Sequence, residues 1–429
     1  MRFTRTARLA TVSAAAALVL ASCGGSDDNG GGGGESTTTS NESPSAAKGD
    51  GTLVVGSLLP TTGDLAFLGP PEIAGVDTAI EDINAAGGVL GQQVTHVEQD
   101  SGDGTPNIAP ASVDKLLNEK ADVIIGAASS SVSLSVIDKI VNAGVVQFSP
   151  ANTSTAFDTY DDKGLYFRTA PSDVLQGAVM ANMVVDDGFK NVAILARQDS
   201  YGEALADQVA KGIEEGGSKV ATKTLYSADA SNFTAEVNKV AATNPDAIVL
   251  IAFNETTKII PTLIGKGIGP KDVQIYFVDG NTADYSKDFD PGTLAGNGYA
   301  VKATYPGAEL TADFKARLLK TDPSLKDFTY GPESYDATIM SALAATAAKD
   351  DAGEAIGSKL VEISEGGTKC TEYKECVDLL NQGEDIDYDG VSGPVDLNDT
   401  GSPSKATIGI FQYNSKNTYS NLDYVTGVI

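Results

Sequence analysis

The sequence has no tryptophan, a single histidine and only three cysteines in 429 residues, and its 30 basic side chains face 58 acidic ones, for a formal charge of −28. Each shortage excludes something. One histidine cannot build a multi-histidine metal centre, and it leaves one candidate for a histidine-based catalytic triad. Without tryptophan, sugar binding by indole stacking is disfavoured. A chain this acidic repels phosphate backbones, so nucleic acid is excluded as a main partner. No G-x-S-x-G elbow and no P-loop occurs. What is present suffices for folding: 41% of residues are hydrophobic, and the length accommodates two domains of about 100–200 residues each.

The first 22 residues carry Arg2, Arg5 and Arg8, then an apolar run from Leu9 to Leu20. This is the charged start and short hydrophobic stretch of a secretory signal, too short to span a bilayer. The run ends in Leu20-Ala21-Ser22-Cys23, which resembles the lipobox of bacterial lipoproteins and implies lipidation at Cys23. Residues 24–50 contain no Val, Leu, Ile, Met or aromatic residue, so nothing offsets the entropy of ordering them. They read as a Gly/Ser-rich tether with an r.m.s. span of roughly 30 Å. Cys370 and Cys376 are then expected to pair outside the cytoplasm. Their spacing is not C-x-x-C, which disfavours a redox or metal role.

Beyond the tether, strand and helix patterns alternate. Leu53–Leu59 is a continuous apolar run, as in a strand covered on both faces. Ile73, Val76, Ile80 and Ile83 recur at helical spacing and Gly87-Gly88 stop them. Strands follow at 94–98, 122–126 and 145–149, with helices between. After Arg168-Thr169-Ala170-Pro171 the alternation restarts, with strands at 192–196, 221–226, 247–252 and 274–278. Strict β-α alternation in two blocks predicts an α/β protein of two doubly wound lobes, with a ligand beyond the carboxyl ends of the strands.

Val55-Gly56-Ser57-Leu58-Leu59-Pro60, Ala85-Ala86-Gly87-Gly88-Val89-Leu90-Gly91, Ser149-Pro150-Ala151-Asn152-Thr153, Asp199-Ser200-Tyr201-Gly202 and Ile386-Asp387-Tyr388-Asp389-Gly390 stand in order along the chain. Together they resemble the branched-chain-amino-acid-type substrate-binding proteins of ABC importers, with the class I periplasmic-binding fold. The resemblance implies Rossmann-like lobes joined by a three-crossover hinge. It assigns 1–22 to a signal peptide, 23–50 to a tether, 51–171 with 303–385 to an N-terminal lobe, and 172–302 with 386–429 to a C-terminal lobe. Helices at 313–319 and 334–348 should return to the first lobe, and strands at 393–397, 406–412 and 419–428 to the second. It further implies a monomer anchored by lipid outside the cell membrane, an ABC permease as partner, and neither cofactor nor metal.

The same resemblance places a small ligand among named residues. Ser130 and Ser131 follow a strand and open a helix, where free N–H groups suit a carboxylate; capping the helix is the competing use. Asn152 and Thr153 would grip the ammonium and carboxylate. Tyr201 supplies a wall with a hydroxyl, and Asp279 an acid for an amine. Phe67, Leu68, Phe253 and Glu255 would line the side-chain pocket; Asn254 and Glu255 leave room for a polar or cationic ligand. The expected function is closure on an amino acid and delivery to a permease, without enzymatic turnover. A sensor for a signalling partner and a receptor for an amide or carboxylate are the alternatives. An amidase-like hydrolase lacks a nucleophile–base pair. Asp385-x-Asp387-x-Asp389-Gly390 with Asp396 imitates a calcium loop, but aspartate holds the twelfth place and Pro394 interrupts it. His96 reads as structural.

Overall fold

The computed structural model describes residues 48–105, 107–296 and 298–429; the expected signal segment, nearly all of the tether, and Cys23 lie outside them. The first sheet holds β1 (Val54–Leu59), β2 (Thr95–Asp100), β3 (Val123–Gly126), β4 (Val146–Ser149) and β5 (Tyr166–Arg168). Between them run α1 (Gly69–Ala85), α2 (Ala109–Asn118) and α3 (Ser130–Asn142). The spatial order is β2-β1-β3-β4-β5, all parallel. Side chains of β1 alternate as a strand covered on both faces must. Val55 and Leu59 join one buried cluster, and Leu58 joins another on the opposite face.

The second sheet begins after α4 (Asp173–Asp186), with β6 (Asn191–Gln198), α5 (Ser200–Glu215), β7 (Lys219–Ser227), α6 (Thr234–Ala241), β8 (Ala247–Ile251), α7 (Thr256–Gly265), β9 (Gln274–Phe277) and β10 (Lys302–Pro306). The chain then returns to the first core through α8 (Ala312–Thr321), α9 (Gly331–Ala348), α10 (Gly353–Leu360), β11 (Thr368–Cys370), α11 (Tyr373–Gln382), β12 (Ile386–Gly390) and β13 (Gly393–Pro394). It finishes in the second sheet with β14 (Lys405–Tyr413) and β15 (Tyr419–Val428), whose order is β15-β14-β10-β9-β8-β6-β7. Helix α1 packs tightly on α9 because Gly75 has no side chain; a Cβ there would lie 2.2 Å from the Gly331 carbonyl oxygen. Cys370 and Cys376 are joined as a disulfide, with Cα atoms 5.4 Å apart, across the turn between β11 and α11.

The chain therefore crosses between the two sheets three times, after β5, after β10 and after residue 397. Two boundaries differ from the sequence expectation. The second sheet keeps the chain as far as Pro306, because β10 pairs with both β9 and β14 and buries Ala303 in the second core. Residues 386–397 belong with the first core, not the second: Ile386, Tyr388, Val395 and Leu397 are all buried there, and β13 pairs with β12. Strand pairing decides the first case; in the second, large apolar side chains, each worth about 1.5–3 kcal/mol when buried, decide which body the segment joins.

Candidate functional site

In each sheet the strand order reverses once, between β1 and β3 in the first and between β6 and β8 in the second. Loops part at such a point and leave a crevice beyond the carboxyl ends of the strands. Here the two crevices meet. Leu65 and Leu68 follow β1, Ala128, Ser129 and Ser130 follow β3, and Ala151 follows β4; opposite them stand Tyr201, Phe253, Asp279 and Gly280, with Tyr330 from the segment before α9. The hollow spans about 250 Å³, and side chains of both lobes crowd it. Entry of a ligand thus needs the lobes to part or side chains to move. A larger depression lies among the C-terminal ends of α1, α9 and α11, at the end of the first lobe away from these loops; it has none of the convergent groups described next.

Contacts between the lobes hold the mouth shut. The Ser131 hydroxyl is 3.0 Å from that of Ser200 and accepts from the Ser200 amide at 3.3 Å. Ser154 donates to the Ser200 carbonyl at 2.8 Å, Thr105 to Asp229 at 2.7 Å, and the Asn254 amide to the Asp64 carbonyl at 3.3 Å.

Asp279 is the centre of the second-lobe wall. It ends β9 in a short turn, and Gly280 lets that turn press on its neighbours: a Cβ there would lie 2.8 Å from the Ala252 carbonyl oxygen. Tyr201 donates to Asp279 Oδ1 at 2.7 Å, Gln176 to the same oxygen at 3.0 Å, and Tyr330 to Oδ2 at 2.9 Å. Burial raises the Asp279 pKa, and these three hydrogen bonds oppose the rise. Burial and the Asp279 charge hold the Tyr201 and Tyr330 phenols well above their usual range, so both remain donors. Phe253 stacks on Tyr201 with ring centroids 5.5 Å apart. Behind it the Arg197 guanidinium sits 3.5 Å from the Phe253 centroid and pairs with Asp199 at 2.6 Å and Glu255 at 2.9 Å.

The first-lobe wall sets the hydroxyl residues Ser129 and Ser130 among the apolar Leu65, Leu68, Ala128 and Ala151. Ser129 stands at the N-cap of α3 with extended backbone and makes no capping bond. Its buried Oγ has no hydrogen-bond partner among the described residues, so the hydroxyl is free for a ligand. The start of α3 adds the dipole and unpaired amides that suit a carboxylate.

Of the residues singled out from the sequence, Ser130, Leu68, Tyr201, Phe253 and Asp279 line the hollow. Five do not. Ser131 is spent on the Ser200 contact. The Asn152 side chain donates to the Ala127 and Ala128 carbonyls and accepts from Tyr166, which ties the strand-end loops together. Thr153 is wholly buried behind the wall with its hydroxyl unpartnered among the described residues. Phe67 faces a separate depression with Pro70, Asp284 and Leu325. Glu255 is occupied by Arg197 and by the Tyr226 hydroxyl at 2.7 Å. Sequence reasoning missed Leu65, Gln176 and Tyr330. Tyr330 takes a left-handed backbone (φ 59°) ahead of a Gly-Pro helix start, a local signal that marks a turn but not where its ring goes.

The acidic turn does gather: oxygens of Asp387, Asp389 and Asp396 lie within 4.8 Å of one another. Lys369 bridges Asp387 at 3.2 Å and Asp389 at 2.9 Å and supplies the countercharge. His96 ties α1 to the sheet, with Nδ1 2.8 Å from Asp77 and Nε2 2.9 Å from the Ser57 hydroxyl.

Two doubly wound lobes, three crossings and a hollow between facing strand ends define a solute-binding receptor of the class I periplasmic type. The periplasmic binding protein family model matches residues 52–417, and the chain belongs to that family. It is 28% identical over 359 residues to the chemotactic signal transduction system substrate-binding protein BasB of Halobacterium salinarum, covering 80% of this chain and 83% of that one. It is 33% identical over 182 residues to the leucine-, isoleucine-, valine-, threonine-, and alanine-binding protein of Pseudomonas aeruginosa, over 42% of this chain and 48% of that one. Among solved structures, the leucine binding protein LivK of Thermotoga maritima superposes with a TM-score of 0.70 at 18% identity, over 87% of this chain and 98% of that one. A solute binding protein of R. palustris in complex with benzoate gives 0.68 at 16% identity, over 88% and 98%. These two share the fold. No helix among the described residues is long and apolar enough to cross a membrane.

Proposed function

We propose that the protein captures an amino acid outside the cytoplasm and presents it, in closed form, to an ABC permease, held near the membrane by lipid on Cys23. The observation that carries this reading is the polarity of the hollow: hydroxyls and a helix start on the first-lobe side, and the Asp279 carboxylate on the second. A zwitterion matches both walls at once. In the open form its carboxylate meets Ser129, Ser130 and the start of α3. Closure brings up Asp279 and Tyr201 and removes the ligand from water, where each charge-assisted bond gains strength. The ligand drives closure only by as much as it binds the closed form better than the open one. None of this chemistry breaks a bond, in keeping with a binding protein rather than an enzyme. The boundaries proposed for the closing bodies are the three crossings after β5, β10 and residue 397.

The match to BasB across most of both chains favours a second reading, in which the same closure is reported to a signalling partner. The benzoate-bound neighbour keeps an aromatic carboxylate in view as the ligand. A thermal-shift screen of the twenty amino acids, benzoate and 4-hydroxybenzoate separates the ligand classes, since a ligand at 100 times its dissociation constant stabilises by about 2.7 kcal/mol. The amino-acid reading predicts the largest shift from an amino acid. A shift from the benzoates alone overturns it.

A further inference from the structure

The chain's single histidine belongs to a cluster that ligand capture does not use. His96 and Glu98 stand two apart on β2, the edge strand of the first sheet, so their side chains share one face. Asp77, on α1, meets them there. His96 Nδ1 lies 2.8 Å from Asp77 Oδ1 and 4.0 Å from Glu98 Oε1. One ligand atom from each of the three residues falls within 4.8 Å of the other two. None of the three lines the hollow.

The imidazole is held in a set orientation. Its side chain is only 10% exposed, and Nε2 is 2.9 Å from the Ser57 hydroxyl on β1. With the ring proton on Nε2 and donated to Ser57 Oγ, the Nδ1 lone pair is aimed at the two carboxylates. A metal-bound histidine is oriented in this way, its far N–H given to an oxygen outside the coordination sphere. The two acids also lack a countercharge. Neither Asp77 nor Glu98 pairs with a lysine or arginine among the described residues, whereas Lys369 already bridges Asp387 and Asp389 in the acidic turn. The spacing agrees as well. Donor atoms around a tetrahedral zinc ion stand about 3.3 Å apart, as its bond lengths require, and the two separations here fall on either side of that value. Asp77 and Glu98 are 39% and 55% exposed, so each carboxylate has room to turn.

We propose that Asp77, His96 and Glu98 bind a divalent transition-metal ion of the zinc class through one imidazole nitrogen and two carboxylates, with a fourth position open to water. The nitrogen donor selects such an ion over magnesium or calcium, which take oxygen ligands. Binding replaces the contact between Nδ1 and Asp77 with a bond from each to the metal, and a proton on Nδ1 must leave first. The strongly negative chain draws cations toward the site. Bound there, the ion would join α1 to the edge strand and stiffen the first lobe. The site is separate from the solute site and holds whatever the solute proves to be.

The test uses the full chain, stripped with a chelator and titrated with zinc chloride alone. Because there is one histidine, nitrogen NMR of the labelled protein reads one imidazole without ambiguity. Zinc should shift its Nδ1 resonance and leave Nε2 protonated, while magnesium at the same concentration leaves both unmoved. By calorimetry, Ser57→Ala, which removes only the outer hydrogen bond, should weaken zinc about 10-fold. Glu98→Gln, at an exposed side chain, should weaken it at least as much. A wild-type imidazole signal that ignores zinc overturns the proposal, and this reading needs no variant to fold. Zinc affinity unchanged by Glu98→Gln means an adventitious ion only, and overturns it too.

Discussion

Asp336 and Asp173 are both buried acids near the start of a helix, and they are wired in opposite ways. Asp336, on α9, accepts from the Tyr388 hydroxyl at 2.8 Å, the Val391 and Ser392 amides at 3.0 and 2.8 Å, and the Ser392 hydroxyl at 2.5 Å. Asp173 has no such set of donors: the Thr153 hydroxyl is the side chain that opposes the rise of its pKa by hydrogen bonding. Asp336 lies inside the first lobe and pins β12 and the following turn to α9. Asp173 lies where the chain crosses between lobes. An acid whose donors all come from its own fold is a brace; an acid with few donors has its carboxyl pushed up by burial. Asp279 stands between the two, partly supplied and facing the hollow.

The largest expected effect tests the brace. Asp336→Ala strands four donors in the core and should cost about 3 kcal/mol of stability in a urea melt, with little change in ligand affinity once folded. A loss under about 1 kcal/mol would erase the contrast. The next effect is in pH. Burial pushes Glu333 up to about 8, Asp122 to about 7 and Asp336 to about 6. Between their ordinary carboxylate values and these raised ones, the folded state holds protons that the unfolded state has released. Stability must therefore fall as pH rises through that window. Glu333, with one buried oxygen unpartnered among the described residues, resembles Asp173 more than Asp336. Glu333→Gln should flatten the decline toward pH 8 by about 2 kcal/mol, read as melting temperature against pH. An unchanged slope would mean that Glu333 does not titrate there. The smallest effect concerns the mouth. Ser131→Ala removes a contact with Ser200 rather than a ligand contact, and should weaken binding by less than about 1 kcal/mol; a tenfold loss would return Ser131 to the ligand.

How much of this was legible in the sequence follows the same division. The strands showed themselves because each is an apolar run bounded by turn residues; β8, Ala247–Ile251, is buried at every position. Tyr201 and Asp279 could be found because residues just after second-lobe strands must face the crevice. What could not be read were pairings across long separations. Glu255 looked like a polar lining residue until Arg197, 58 positions earlier, was seen to claim it. Asp173 was not singled out, since an acid in the first turn of α4 is explained by the helix dipole alone. Residues 386–397 carried a strand pattern that fits either lobe, and only the packing of Tyr388 and Leu397 settles which.

On the function proposed above, the hollow between the lobes holds an amine against Asp279. Titration calorimetry of wild type and Asp279→Ala, run side by side with the amino acid that shifts the melting temperature most, tests it directly. A loss of about 2 kcal/mol or more in binding free energy is expected for the folded variant. Equal affinities would contradict it.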